Sequence, residues 1–170
     1  MKIIDKIALI YLKDGKILAT LSKGKDKYYM PGGKREEGET DEQTLIRECK
    51  EELNVNIKKD TIKYYGTFEA QAHGKSEGTL VKITCYTAEF TEELKPSSEI
   101  EEIAWLTYKD LDKISLANSL IYKDLYEKDG AERRIGLVYF DADVDADNER
   151  MALTPKGEVQ NLDDHALIKK

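Results

Sequence analysis

Residues 6–22, KIALIYLKDGKILATLS, alternate apolar and polar positions around Asp14-Gly15. That dipeptide between apolar runs predicts a β-hairpin. Tyr28, Tyr29 and Met30 lead into Pro31-Gly32-Gly33, where two glycines after a proline predict a sharp loop that lets backbone approach a ligand closely. A helix follows, capped by Thr40 or Asp41, with Leu45, Cys49 and Leu53 as its apolar face. Residues 61–73 and 79–90 form a second predicted hairpin around a polar loop at 73–78, its second arm rich in β-branched and aromatic residues. Residues 91–98 are a polar loop with Pro96. A short strand at 103–106 and helices at 108–113 and 116–128 follow. Strands, a helix, more strands and closing helices fit a layered α/β or α+β sandwich.

Residues 130–170 carry a different pattern. RIGLVYF reads as a strand, and Asp141, Asp143, Asp145 and Asp147 alternate after it. A calcium loop starting at Asp141 needs Gly at its sixth position and Glu at its twelfth; Ala146 and Ala152 stand there, so the acids read as a solvated edge or loop. Thr154-Pro155-Lys156-Gly157 reads as a turn. The division is a domain over 1–129 and an extension over 130–170. For the extension three readings stay open: a hairpin on the core, a homodimer arm, or partial disorder.

Composition narrows the partners. The chain has 170 residues, 40% hydrophobic and 36% charged, enough for one domain with a sizeable core. Net charge is −7 and only five arginines occur, Arg35, Arg47, Arg133, Arg134 and Arg150. With no basic stripe, polymeric nucleic acid is not an expected partner. A single nucleotide is compatible, because a bound metal supplies positive charge. Cys49 and Cys85 are the only cysteines, in patterned segments without metal spacing, which reads as a reducing, cytoplasmic compartment. Residues 1–10 are too charged for a signal peptide, and no run is long enough to span a membrane.

The chemistry concentrates in residues 33–55, GKREEGETDEQTLIRECKEELNV. On a helix, Glu48, Glu51 and Glu52 stand at i, i+3 and i+4 on one side. Clustered carboxylates repel unless a cation sits among them, and one or two acidic side chains are what Mg²⁺ uses when it carries a substrate phosphate. The competing reading is a solvated acidic face with intrahelical ion pairs.

This stretch resembles the Nudix box, G-x5-E-x7-R-E-U-x-E-E-x-G-U with U aliphatic. Gly33, Glu39, Arg47, Glu48, Glu51, Glu52 and Val55 are in register. Cys49 takes the first aliphatic place, tolerable because buried free cysteine behaves as a small hydrophobe. Asn54 replaces the second glycine and is the non-glycine residue best suited to a left-handed helix end. The six fixed residues would fall in register by chance in on the order of one such chain in ten thousand or fewer, so the metal-site reading outweighs the solvated face.

The resemblance covers about residues 3–128 and implies an α/β/α sandwich with a mixed sheet. It also implies hydrolysis of a nucleoside diphosphate linked to another moiety, with Mg²⁺ as cofactor and Mn²⁺ as substitute. Glu51 and Glu52 are then the firmest metal ligands, Glu48 a further ligand or the base, with the backbone at Gly32 or Gly33 near the metal. Arg47 and Glu39 brace the loop against the helix, a task suited to the guanidinium fork. A base outside the box is expected on the loop before the strand holding Trp105. Glu99 is preferred there over Glu101 and Glu102, since it stands in the loop. Trp105 reads as core before base-stacking, and His73 as plain loop. One of Tyr28 and Tyr29 is expected to line a nucleotide cleft; Tyr29, Lys34 and Arg35 are the substrate-contact candidates.

Marks of substrate subclasses downstream of the box are absent: no proline about fifteen residues on, and no tyrosine there, where Glu69-Ala70-Gln71 stand. A one-domain chain without them is most similar to a nucleoside triphosphate pyrophosphatase, acting on ordinary or oxidised triphosphates such as 8-oxo-dGTP. ADP-ribose or a nucleotide sugar is the runner-up. Two other classes are kept: a nucleotide-sensing module without turnover, which loss of a box glutamate would favour, and an interaction protein using its tail as an arm. No box glutamate is lost.

Overall fold

The computed structural model describes residues 1–129, with the backbone of two short strands beyond them, Met151–Leu153 and Val159–Asn161. The readings of RIGLVYF, of the alternating aspartates and of the turn at 154–157 lie outside the described residues, as does the choice among the three readings of the tail.

Two sheets form the middle of the molecule. The first is mixed: β1 (Lys2–Ile10) lies at its centre, parallel to β6 (Thr79–Thr87) and antiparallel to β4 (Gly32–Gly33), with β5 (Lys63–Gln71) antiparallel to β6. The second is antiparallel, with β3 (Lys16–Ser22) between β2 (Leu12–Lys13) and β7 (Ile100–Leu106). Helix α1 (Asp41–Leu53) supplies the crossover between β1 and β6 together with the β2–β4 segment, and α2 (Leu116–Asp129) closes the other side. Two further strands, β8 (Met151–Leu153) and β9 (Val159–Asn161), pair antiparallel, Met151 opposite Asn161.

Strand alternation explains why helices cover both faces. Ile7 and Leu9 of β1 and Leu18 of β3 pack with Leu45, Cys49 and Leu53 of α1. Ala8 and Ile10, with Ile17 and Ala19, pack with Ala117, Ile121, Tyr122 and Leu125 of α2. Successive residues point to opposite faces, so a strand buried on both reads as a continuous apolar run. Ile7 to Ile10 do so, none more than 4% exposed.

The expected first hairpin is shorter than the alternation suggests. Asp14 and Gly15 both have positive φ, 51° and 70°, the type I′ geometry that matches strand twist. They join only β2 to β3, Leu12 opposite Ile17. β1 instead lies in the other sheet, because β4 and β6 already occupy both its edges. The second hairpin forms as expected, Phe68 opposite Ile83, with a register shift between Tyr64 and Gly66. β7 begins at Ile100 rather than 103, because β3 extends the pairing to Ser22.

Helix α1 is bounded as its sequence dictates. Thr40 is the N-cap, its side chain accepting from the Gln43 N–H while the Gln43 side chain accepts from the Thr40 N–H. Asn54 ends the helix in the left-handed conformation (φ 56°, ψ 36°), its N–H donating to Lys50 O.

Candidate active site

The segment after β3 laces the two sheets together and delivers the glycine loop. Tyr29 N–H and Thr20 O, then Leu9 N–H and Pro31 O, bond at 2.9 and 2.8 Å. Gly32 and Gly33 then pair with Ala8 and Ile7. A Cβ on Gly32, whose φ is +145°, would stand 2.0 Å from Ile7 O; one on Gly33 would stand 2.2 Å from Glu48 Oε1. Both glycines are therefore required by close approach, one to backbone and one to a box carboxylate.

Glu52 answers that loop: its Oε2 accepts from Gly32 N–H at 3.0 Å. It is 5% exposed, and burial pushes its pKa up to about 8. Glu48 is also buried, and burial raises its pKa against the pull of Arg47.

Arg47 ties the motif together. Its Nε and Nη2 donate to Glu39 Oε1 and Oε2 at 2.7 and 2.9 Å, a two-pronged pair. Nη2 also donates to Lys34 O (3.0 Å) and Nη1 to Glu48 Oε1 (2.9 Å). The Arg47 bonds, then the Glu36 N–H, hold the Glu39 carboxyl down to about 2. The expected brace of loop against helix is thus present in the geometry.

Glu99 reaches the same place through backbone bonds. Lys95 and Ser97 N–H groups donate to Leu53 O and Glu52 O, both at 3.0 Å, satisfying carbonyls that the end of α1 leaves open. Ser98 takes a positive φ of 56°, a strained backbone of the kind that clusters at functional sites. Glu99 lines the same cavity as Glu52, and the neighbouring Ser98 side chain leads the effects that hold its pKa low. Glu101 and Glu102 are exposed on β7 and do not line the cavity.

These groups help to line a cavity of about 310 Å³, with Gly32, Gly33, Glu48, Glu52 and Glu99 in its wall. Ile4, Met30, Val81, Ala117, Ser115 and Asn118 line the same cavity. Asn118 is fixed there: its Oδ1 accepts from Met30 N–H at 2.7 Å and its Nδ2 donates to Ser115 Oγ at 2.9 Å. Tyr29 and Lys34 line the cavity as the sequence suggests. Arg35 turns away, bonded to Asp5 and, at 2.7 Å, to Asp41. Glu51 is half exposed and outside the cavity wall, 3.4 Å from Arg47 Nη1. Trp105 packs on the α1 side near Tyr11, away from the cavity. His73 stands on the cavity rim, 2.9 Å from Asp26.

Lys6, Lys25, Lys75 and Asn118 escape the sequence reading. Lys6 had a visible signal: it interrupts Ile4, Ala8 and Ile10, which share its face of β1.

Among the described residues no three carboxylate, imidazole or thiolate groups converge on one ion position as they stand. The donor set still fits a hard divalent cation. Glu48 and Glu52 are buried carboxylates whose charged forms burial disfavours, and a bound cation reverses that balance.

The NUDIX domain model matches residues 4–128, and the chain belongs to the Nudix family, enzymes that hydrolyse nucleoside diphosphate derivatives. No curated protein matches the sequence. Among solved structures, the E. coli ORF135 protein is similar at 24% identity and a TM-score of 0.60, covering 78% of this chain and 94% of that one. The MutT NUDIX hydrolase from Burkholderia pseudomallei is similar at 20% identity and a TM-score of 0.59, covering 72% and 98%. A bifunctional NMN adenylyltransferase/ADP ribose pyrophosphatase from Francisella tularensis is similar at 20% identity and a TM-score of 0.54, covering 74% of this chain but 41% of that one. These likenesses concern the fold. No helix among the described residues is long and apolar enough to cross a membrane.

Proposed function

We propose that this enzyme cleaves a nucleoside triphosphate, ordinary or oxidised, to a nucleoside monophosphate and pyrophosphate. One observation carries the reading: one cavity of about 310 Å³ is lined both by the box carboxylates and by apolar side chains beside a fixed carboxamide. That volume lies at the small end of ligand pockets, suited to one nucleoside rather than two. Glu48 and Glu52, with the Gly33 backbone beside them, would hold Mg²⁺ through oxygen donors, and Glu51 would be a further ligand. A bound divalent ion supplies charge neutralisation and a more acidic water.

The chain's own residues do the rest. Arg47 and Glu39 hold the loop against α1, so the Gly32 N–H stays on Glu52. Met30, Val81 and Ile4 exclude water around the nucleoside. Glu99 accepts the proton of the attacking water as its oxygen bonds to phosphorus and the bridging P–O bond breaks, and pyrophosphate leaves. The catalytic domain is residues 1–129, with 130–170 an extension. The two free, buried cysteines support a reducing cytoplasmic setting.

Glu99→Gln is expected to lower turnover about a hundredfold or more while Mn²⁺ affinity, read by paramagnetic resonance, stays near that of the parent. An unchanged rate would move the base to Glu48 or Glu102. The substrate is tested by a phosphate-release screen with Mg²⁺ and a coupled phosphatase. Preference for a triphosphate supports the reading. Preference for ADP-ribose, a substrate of one of the two activities in the Francisella neighbour's name, keeps the mechanism and replaces the substrate. Nucleotide binding without any turnover would make the domain a sensor.

A further inference from the structure

Lys6 stands on a face of β1 that is otherwise apolar from Ile4 to Ile10. Ile4, Ala8 and Ile10 share that face and pack against the α2-side core. Lysine is among the side chains least often buried unless paired. Here the side chain is half-buried and lines the cavity, and among the described residues no carboxylate lies within ion-pair distance of its ammonium. Its Nζ stands 5.6 Å from the centroid of the Tyr29 ring.

The surroundings are organised by charge. Glu52 and Glu48 attract the ammonium; Lys34 and Lys25 repel it, and burial opposes its charge further. Three lysines gathered in a chain of net charge −7 cost stability unless an anion joins them. The carboxylates do not serve as that anion at contact distance. A phosphate would, since lysine is a common point-charge phosphate ligand.

Position selects which phosphate. Lys6 precedes Ile7, the partner of Gly33 in the sheet, so it adjoins the loop bonded to Glu52. Its other neighbour, Tyr29, adjoins Met30, whose N–H donates to Asn118. The lysine therefore adjoins both the glycine loop and the Tyr29-Met30 segment of the cavity wall. We propose that Lys6 is a substrate-binding residue that holds the phosphate carried directly by the nucleoside, and so retains the nucleoside monophosphate half of the substrate. The inference rests on the nucleotide reading of the cavity.

Its test is binding of the intact protein, without divalent cation, to dGMP, AMP and the corresponding nucleosides by calorimetry. Lys6→Met suits the apolar face and should melt at or above the parent temperature. It is expected to weaken monophosphate binding about tenfold to a hundredfold, the range for a hydrogen bond to a charged group. Nucleoside affinity should not change, and Lys6→Arg should restore much of the monophosphate affinity. Equal monophosphate affinity in parent and Lys6→Met, with the parent hydrolysing nucleotides, overturns the role of Lys6 alone and leaves it a counter-ion for the acids. Equal weakening of nucleoside and monophosphate overturns it too, marking a general distortion of the cavity. A parent protein that neither binds monophosphates nor hydrolyses nucleotides overturns both the inference and the function beneath it.

Discussion

Replacing Glu52 with glutamine lowers turnover by about three orders of magnitude or more, the scale on which a preorganised electrostatic group acts. Its carboxylate is the only box carboxylate that is both deeply buried and bonded to the glycine loop. Glutamine keeps the shape and an acceptor for Gly32 N–H but loses the charge. The same substitution should move stability the other way in protein stripped of divalent cations. Burial raises the folded-state pKa to about 8 from the ordinary 4.5. Between those values the native state holds a proton that the unfolded chain has released, so stability is greatest below pH 4.5 and falls as pH rises towards 8. A rise of this size costs on the order of a few kcal/mol. Glutamine has no such proton, so Glu52→Gln should melt above the parent at pH 8 and lose that part of the pH dependence. Steady-state turnover and melting curves at pH 5 and 8 read both effects. A near-parental rate would remove Glu52 from the chemistry.

The same residue marks how far the sequence could be read. The i, i+3, i+4 spacing places Glu48, Glu51 and Glu52 on one side of α1, but a helix turns about 100° per residue. Glu51 and Glu52 thus diverge, and packing decides which turns inward. The apolar side is set by Leu45, Cys49 and Leu53, so Glu48 and Glu52 are drawn under the glycine loop while Glu51 stays with Arg47 at the surface. Local signals were the most legible: the Asp14-Gly15 turn and the Asn54 helix end each depend on a few adjacent residues, and the cap was narrowed to Thr40 or Asp41, of which Thr40 holds the place. The parallel pairing of β1 with β6 was not, because its partners are more than seventy residues apart and alternation reports faces, not neighbours. Glu99 was legible as a loop acid. Its delivery to Glu52 depends on Lys95 and Ser97 meeting the open carbonyls of α1. Lys6 showed only as a break in an apolar strand face, and Asn118 not at all, because nothing local separates a cavity-lining residue from a solvated or core one.

The glycine loop gives the largest expected loss of stability. Gly32→Ala places a Cβ 2.0 Å from Ile7 O and 2.8 Å from Ala8 Cα, both backbone atoms of β1. β1 cannot yield, since β4 and β6 hold its two edges. A φ of +145° adds strain of about 1–3 kcal/mol for any residue with a side chain. Clash and strain together should exceed about 3 kcal/mol, the range of disruptive substitutions, and lower the melting temperature by about 6–12 °C for a chain of this size. Gly33→Ala separates packing from chemistry. The atoms nearest its Cβ are those of the Glu48 carboxyl group, at 2.2 to 2.8 Å, and that flexible end can swing aside. Melting should then change little while turnover falls, because Glu48 leaves the cavity wall and its bond to Arg47. Circular-dichroism melts of the two variants beside their turnover rates make the comparison. Parental melting of Gly32→Ala would mean that β4 does not pair with β1, and the position of the loop against Glu52 would fall with it.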